Sequence, residues 1–167
     1  MPSIVQPSDF TSGPLRIPNA VSGNVGEAEN ADLVAIIAQS EKEVLLMALG
    51  KTQYEAFQTA LETDPVASPY DGLYDKVKEL LPYFIYCAWL RFAEVNLTTV
   101  GAGKGDAQGQ TQADINLRFV TAWNNFVRLY SEIDGHEQSL LEYLQETDGL
   151  SDADFRQPYT YANQFGL

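Results

Sequence analysis

The sequence predicts an all-α protein, a small bundle of about four helices. Two observations carry this reading: apolar residues recur at three- and four-residue spacing over long stretches, and helix-capping and helix-stopping residues sit where those stretches begin and end. The predicted division is an extended N-terminal arm over 1–29, a helical domain over 30–149 and a C-terminal tail over 150–167.

The arm alternates Pro2, Pro7, Pro14 and Pro18 with Gly13, Gly23 and Gly26, so no long helix is expected there. It still carries Ile4, Val5, Phe10, Leu15 and Ile17, which a free linker would not need. It should therefore lie on something, its own core or a neighbour. Asn30 is a good cap for a first helix with Leu33, Ile36, Ile37, Val44 and Met47 close to one face, and Gly50 reads as its stop. Thr52 can cap a short second helix from Gln53 to about Glu62, with Tyr54, Phe57 and Leu61 at helical spacing. Asp64–Pro69 is a break.

A third helix is predicted over 71–97. Nearly every side chain from Leu80 to Leu90 is apolar, so this helix should be central and buried on several sides, kinked or restarted at Pro82. Residues 98–110 form a Gly-rich loop. The last long helix has the strongest period: Ile115, Phe119, Ala122, Phe126, Leu129, Ile133, Leu140 and Leu144. Its one gap, at His136 beside Gly135, predicts a bend or restart, and it should end before Gly149. The tail carries Phe155, Tyr159, Tyr161 and Phe165 with no helical period, and reads as an extended segment able to dock on a surface.

With 167 residues, 45% of them hydrophobic, the chain can bury a real core. There are 23 acidic and 10 basic side chains, a formal charge of −13. That balance lacks the stripe of Lys and Arg that neutralises phosphates, and argues against a nucleic-acid-binding protein. The N-terminus has no basic stretch followed by an apolar one. The run at 80–90 is about half the length that spans a bilayer. The expectation is a protein made in the cytoplasm, with no membrane partner.

No catalytic, cofactor-binding or metal-binding residues are predicted. His136 is the lone histidine, so a second Glu-x-x-His motif for a di-iron site cannot be supplied, and Glu132 precedes it by four residues, the wrong spacing. Cys87 lies in the greasy run, where a thiolate would be costly, and the simpler reading is inert packing. Gly101-Ala102-Gly103-Lys104-Gly105 has a glycine where a phosphate loop needs Ser or Thr after its lysine, and it follows a helix. The carboxylates Glu132, Asp134, Glu137, Glu142, Glu146, Asp148, Asp152 and Asp154 read as a solvated face, or as an acidic surface for a basic partner.

The order of features is itself informative. A helix ending in Leu49-Gly50 is followed by Gln53-Tyr54-Glu55-Ala56-Phe57. Gly72-Leu73 and the apolar helix Leu81–Phe92 come next, then Thr98-Thr99-Val100-Gly101 and a long helix with Ala122-Trp123-Asn124-Asn125-Phe126. Over residues 30–146 this resembles the head–tail connector (adaptor) proteins of tailed bacteriophages. The resemblance implies a structural virion protein, not an enzyme, at the head–tail junction. It implies a homo-oligomeric, dodecameric ring that binds the portal protein and tail or neck proteins and extends the channel for passing DNA without sequence-specific binding. The contacts would come from the two ends and the Gly-rich loop: Phe10, Leu15, Ile17, Thr99, Gly101, Gly103, Lys104, Gly105, Phe155, Tyr159, Tyr161 and Phe165. The ends would then serve assembly and be dispensable for the fold. The tail after residue 150 is longer than the family pattern. The alternative is an acidic helical binding module of the DNA-mimic or anti-repressor type. An enzyme or enzyme subunit is a further reading, which a deep pocket with convergent polar groups would favour.

Overall fold

A computed structural model describes residues 3–18, 20–21, 30–63, 65–99, 112–131, 138–150 and 159–162, without the side chains of 94–99 and 112–114. Among the described residues the chain is all-helical. It has four α-helices, α1 (Ala31–Ala60), α2 (Tyr70–Thr99), α3 (Gln112–Ser131) and α4 (Leu140–Glu146), preceded by one 3-10 turn at Pro7–Phe10.

Asn30 starts α1 as the sequence predicts. Its side-chain oxygen accepts from the Asp32 and Leu33 amides at 3.1 and 3.2 Å, satisfying two of the first-turn donors. Leu33, Ile37, Val44, Ala48 and Leu49 are buried on one face. Gly50 has φ 68° and ψ 173°, a left-handed backbone open in practice only to glycine, and it breaks the helical path. The predicted stop is thus found as a kink at which two helical stretches meet, the second resuming after Gly50 and running to Ala60.

Residues 61–63 and 65–69 lie between α1 and α2, where the chain turns back. Tyr70 at the start of α2 packs its ring 5.8 Å from Phe57 and donates from its hydroxyl to Gln53 Oε1 at 3.1 Å. In α2, Leu73, Val77, Leu80 and Leu81 are buried, followed by four consecutive buried residues, Phe84, Ile85, Tyr86 and Cys87. Burial of a whole helical turn on every side makes this stretch the centre of the fold. Pro82 lies inside a continuous α2, and the helix does not restart there.

α3 runs antiparallel to α2. The Phe84 ring lies 5.0 Å from Phe126, Cys87 Sγ is 3.7 Å from the Phe119 carbonyl oxygen, and the Arg91 guanidinium sits 4.9 Å over the Phe119 ring. As numbering rises along α2 it falls along α3. Ala122, Phe126, Val127 and Tyr130 form the buried face, while the predicted seam residue Leu129 is half-buried.

The predicted last helix is two helices. α3 ends at Ser131, and α4 begins after Ser139, whose hydroxyl accepts from the Glu142 amide at 3.3 Å. Ile133 and His136, where the bend was expected, lie outside the described residues. α4 closes the end of the bundle where α1 turns back into α2. Tyr143 donates to the Pro69 carbonyl at 3.1 Å, Lys76 donates to the Gln138 carbonyl, and Gln53 donates to the Gly149 carbonyl at 3.1 Å. Gly72 permits this approach, because a Cβ there would lie 2.5 Å from the Tyr143 hydroxyl.

The N-terminal segment is part of the same core. Ile4, Val5, Phe10, Ile17 and Ala20 are all buried. Of the two supports expected for the arm, its own core is the one found.

Candidate assembly interface

Two clamps hold the irregular segments against the helices. The first centres on Glu41 of α1. One carboxylate oxygen, Oε1, accepts from the Ser3 hydroxyl and the Val5 amide, both at 2.8 Å. The 3-10 turn behind it is fixed by the Gln6 amide donating to Asp9 Oδ2 at 2.8 Å and the Asp9 amide donating to the Gln6 carbonyl at 2.9 Å. The Ile17 amide donates to the Phe10 carbonyl at 2.9 Å, so the backbone folds over the buried Phe10 ring. Burial pushes the Glu41 carboxyl above its ordinary range, against the pull of the Val5 and Ser3 hydrogen bonds.

The second clamp lies between α2 and α3 and holds Tyr159–Ala162. The Tyr159 ring meets Phe126 at 4.9 Å, Tyr130 at 5.0 Å, Trp123 at 5.8 Å and Phe84 at 6.0 Å, each at a steep interplanar angle. Edge-to-face packing of this kind sets positive ring edges on negative faces. Trp123 Nε1 donates to the Thr160 carbonyl at 2.8 Å. Asn124 pairs with both backbone groups of Ala162: its Nδ2 donates to the carbonyl at 3.0 Å, and its Oδ1 accepts from the amide at 2.8 Å. A side-chain amide thus does for the tail what a neighbouring strand would do. The Tyr159 hydroxyl is buried with no hydrogen-bond partner. Burial, and more weakly the Glu43 carboxylate, push its phenol up to about 12.

The residues expected to make assembly contacts are placed as follows. Phe10 and Ile17 are 0% and 1% exposed, and Tyr159 is 9% exposed. Their apolar surface is spent within this chain, which leaves it unavailable to a neighbour while they stay docked. Leu15 is half-buried against the same core. Tyr161 is exposed. Thr99 is the last residue of α2, its side chain undescribed. Gly101, Gly103, Lys104, Gly105, Phe155 and Phe165 lie outside the described residues. Sequence reasoning did not single out Glu41, Trp123 or Asn124 as anchors. The signals available for the tail clamp were the aromatic tail itself, read as able to dock on a surface, and the tryptophan–asparagine pair on a helix with an apolar stripe, and neither names its partner.

Cys87 is buried, its thiol pushed up to about 12 by burial, with Arg91 opposing. That environment suits packing, since the thiolate is the reactive form. Among the described residues, no group of three or more His, Cys, Asp or Glu side chains could hold a metal ion, and no helix is long and apolar enough to cross a membrane. Comparison of the chain with family models, with curated proteins and with solved structures finds no match.

Proposed function

We propose that this chain is a structural subunit of a head–tail connector (adaptor) assembly of a tailed bacteriophage, a ring between portal and tail around the DNA path. The observation that carries the reading is the all-helical bundle over the segment where the resemblance lies. Its α1 kinks at Gly50, its central α2 contains Leu81–Phe92, and its antiparallel α3 packs Ala122 and Phe126 inward. The formal charge of −13 supports it as well, since a channel wall of like charge keeps DNA from adhering. The same charge favours a second reading, an acidic module that captures a basic DNA-binding protein.

Immunogold electron microscopy on particles from the source culture, with an antibody against this chain, separates the two. Label at the head–tail junction is the expected result. Unlabelled particles, with the protein confined to the soluble fraction and retained on a basic partner in a salt-sensitive way, would overturn the connector reading in favour of the acidic module.

A further inference from the structure

We propose that the groove between α2 and α3 is an exchangeable peptide site, which holds Tyr159–Ala162 of its own chain in the isolated subunit and the same segment of a second copy when copies are held side by side. The inference rests on the assembly reading only for what brings the copies together.

The groove has the chemistry of a site for an extended peptide. Phe84, Trp123, Phe126 and Tyr130 surround one aromatic ring. Beyond that ring, Trp123 and Asn124 make three hydrogen bonds, all to backbone groups of Thr160 and Ala162. One side-chain pocket plus main-chain pairing is how extended segments are commonly recognised. Nothing in these contacts distinguishes the tail of one copy from that of another. The resident tail's advantage is therefore its effective concentration, about millimolar for a short tether. Neighbours fixed in a ring offer their tails at a comparable level.

Two further observations favour exchange. The Tyr159 hydroxyl is buried without a partner, a penalty that keeps the docked state from being as tight as its ring contacts allow. The connection is also long enough. Leu150 is fully buried and marks a fixed point at the α4 end. Eight residues, 151–158, separate it from Tyr159, and a chain of that length reaches roughly 30 Å when extended. The expected radius of gyration of a domain this size is about 15 Å, so the extended connection spans about two such radii, enough to reach the near face of a subunit in direct contact.

Thiol cross-linking of full-length chains tests this directly. One preparation carries Asn124→Cys and the other Ala162→Cys, so neither can close the groove-to-tail link within itself. The native Cys87 is 2% exposed and stays out of the reaction. Mixing should give a covalent heterodimer that increases with concentration towards about 1 mM, and that falls at least several-fold when the Ala162→Cys chain also carries Tyr159→Ala. A single chain with both cysteines should close its own link at low concentration. If it closes while the mixture gives no heterodimer at any concentration, exchange is refuted. Asn124→Cys removes two of the three backbone hydrogen bonds and leaves the Tyr159 pocket and the Trp123 bond to hold the tail. The reaction is therefore run to completion under oxidising conditions that trap transient docking; if the link still fails to close, the groove itself is wrongly placed and the proposal falls. Sedimentation of the unmodified protein keeps the two readings apart: oligomers without heterodimer cross-links would remove tail exchange and leave assembly standing.

Discussion

The N-terminal segment buries five apolar side chains at 6% exposure or less, with Phe10 at 0%, and anchors its backbone on the Glu41 carboxylate. Beyond Leu150, which is fully buried at the α4 end, the described part of the C-terminal tail buries one ring, Tyr159, at 9%, and anchors its backbone on the neutral groups of Trp123 and Asn124. Both segments are irregular and rich in apolar residues, and in the sequence they look alike. In the folded chain they differ in kind. Removing the first would open the core of the bundle, whereas removing the second would uncover a groove on a bundle that is otherwise complete. Segments that look like arms can therefore divide into one that makes the fold and one that uses it.

The largest expected effect comes from breaking the first side of that comparison. Phe10→Ala should cost about 3–5 kcal/mol, because it empties a fully buried site in the core. Denaturant unfolding checks it, and a loss below about 1 kcal/mol would mean that the segment rides on the bundle without completing it. Asn124→Ala should cost less, about 1–2 kcal/mol for two hydrogen bonds between partly exposed partners, and should leave the helical signal in circular dichroism unchanged. Tyr159→Phe has the opposite sign. It removes a hydroxyl that has no partner, so stability should hold or rise by about 1 kcal/mol.

The smallest effect is a pH dependence. The Glu41 carboxyl is raised above its ordinary 4.5, so its contribution to stability is fully present below pH 4.5 and is lost as pH rises through the folded-state value. Glu41→Gln stays neutral throughout. The stability of the wild-type protein relative to this variant should therefore fall as pH rises from about 4.5 towards neutrality. Paired thermal melts across that range test it, and wild-type stability that rises relative to the variant as pH rises would reverse the assigned environment.

Much of the bundle was legible in the sequence because helices announce themselves locally. Asn30 caps, Gly50 breaks the path, and the apolar run at 80–90 marks a centrally buried turn, all through chemistry within a few residues. The division of the last helix was only half legible. The gap at His136 suggested it, and Ser139 three residues before Glu142 is the capping pattern that marks the restart. The roles of the ends were not legible. Glu41 meets Ser3 and Val5 across more than thirty residues, and Asn124 meets Ala162 across a similar separation. Such long-range pairing leaves no periodic trace. For Phe10 and Tyr159 the sequence leaves open whether the chain's own core or a neighbour is the cover, because a one-dimensional pattern identifies an apolar residue without saying which molecule lies over it.

Native-state hydrogen exchange on the full chain tests the central distinction most directly, through three amides with named acceptors. The Val5 amide donates to Glu41, Ile17 to the Phe10 carbonyl, and Ala162 to Asn124. The account predicts that Ile17 and Val5 exchange only with unfolding of the bundle core, at the free energy of the buried amides of α2, while Ala162 exchanges through a cheaper local opening that Asn124→Ala accelerates further. Equal protection at Ala162 and in the core, or rapid exchange at Ile17, would contradict it.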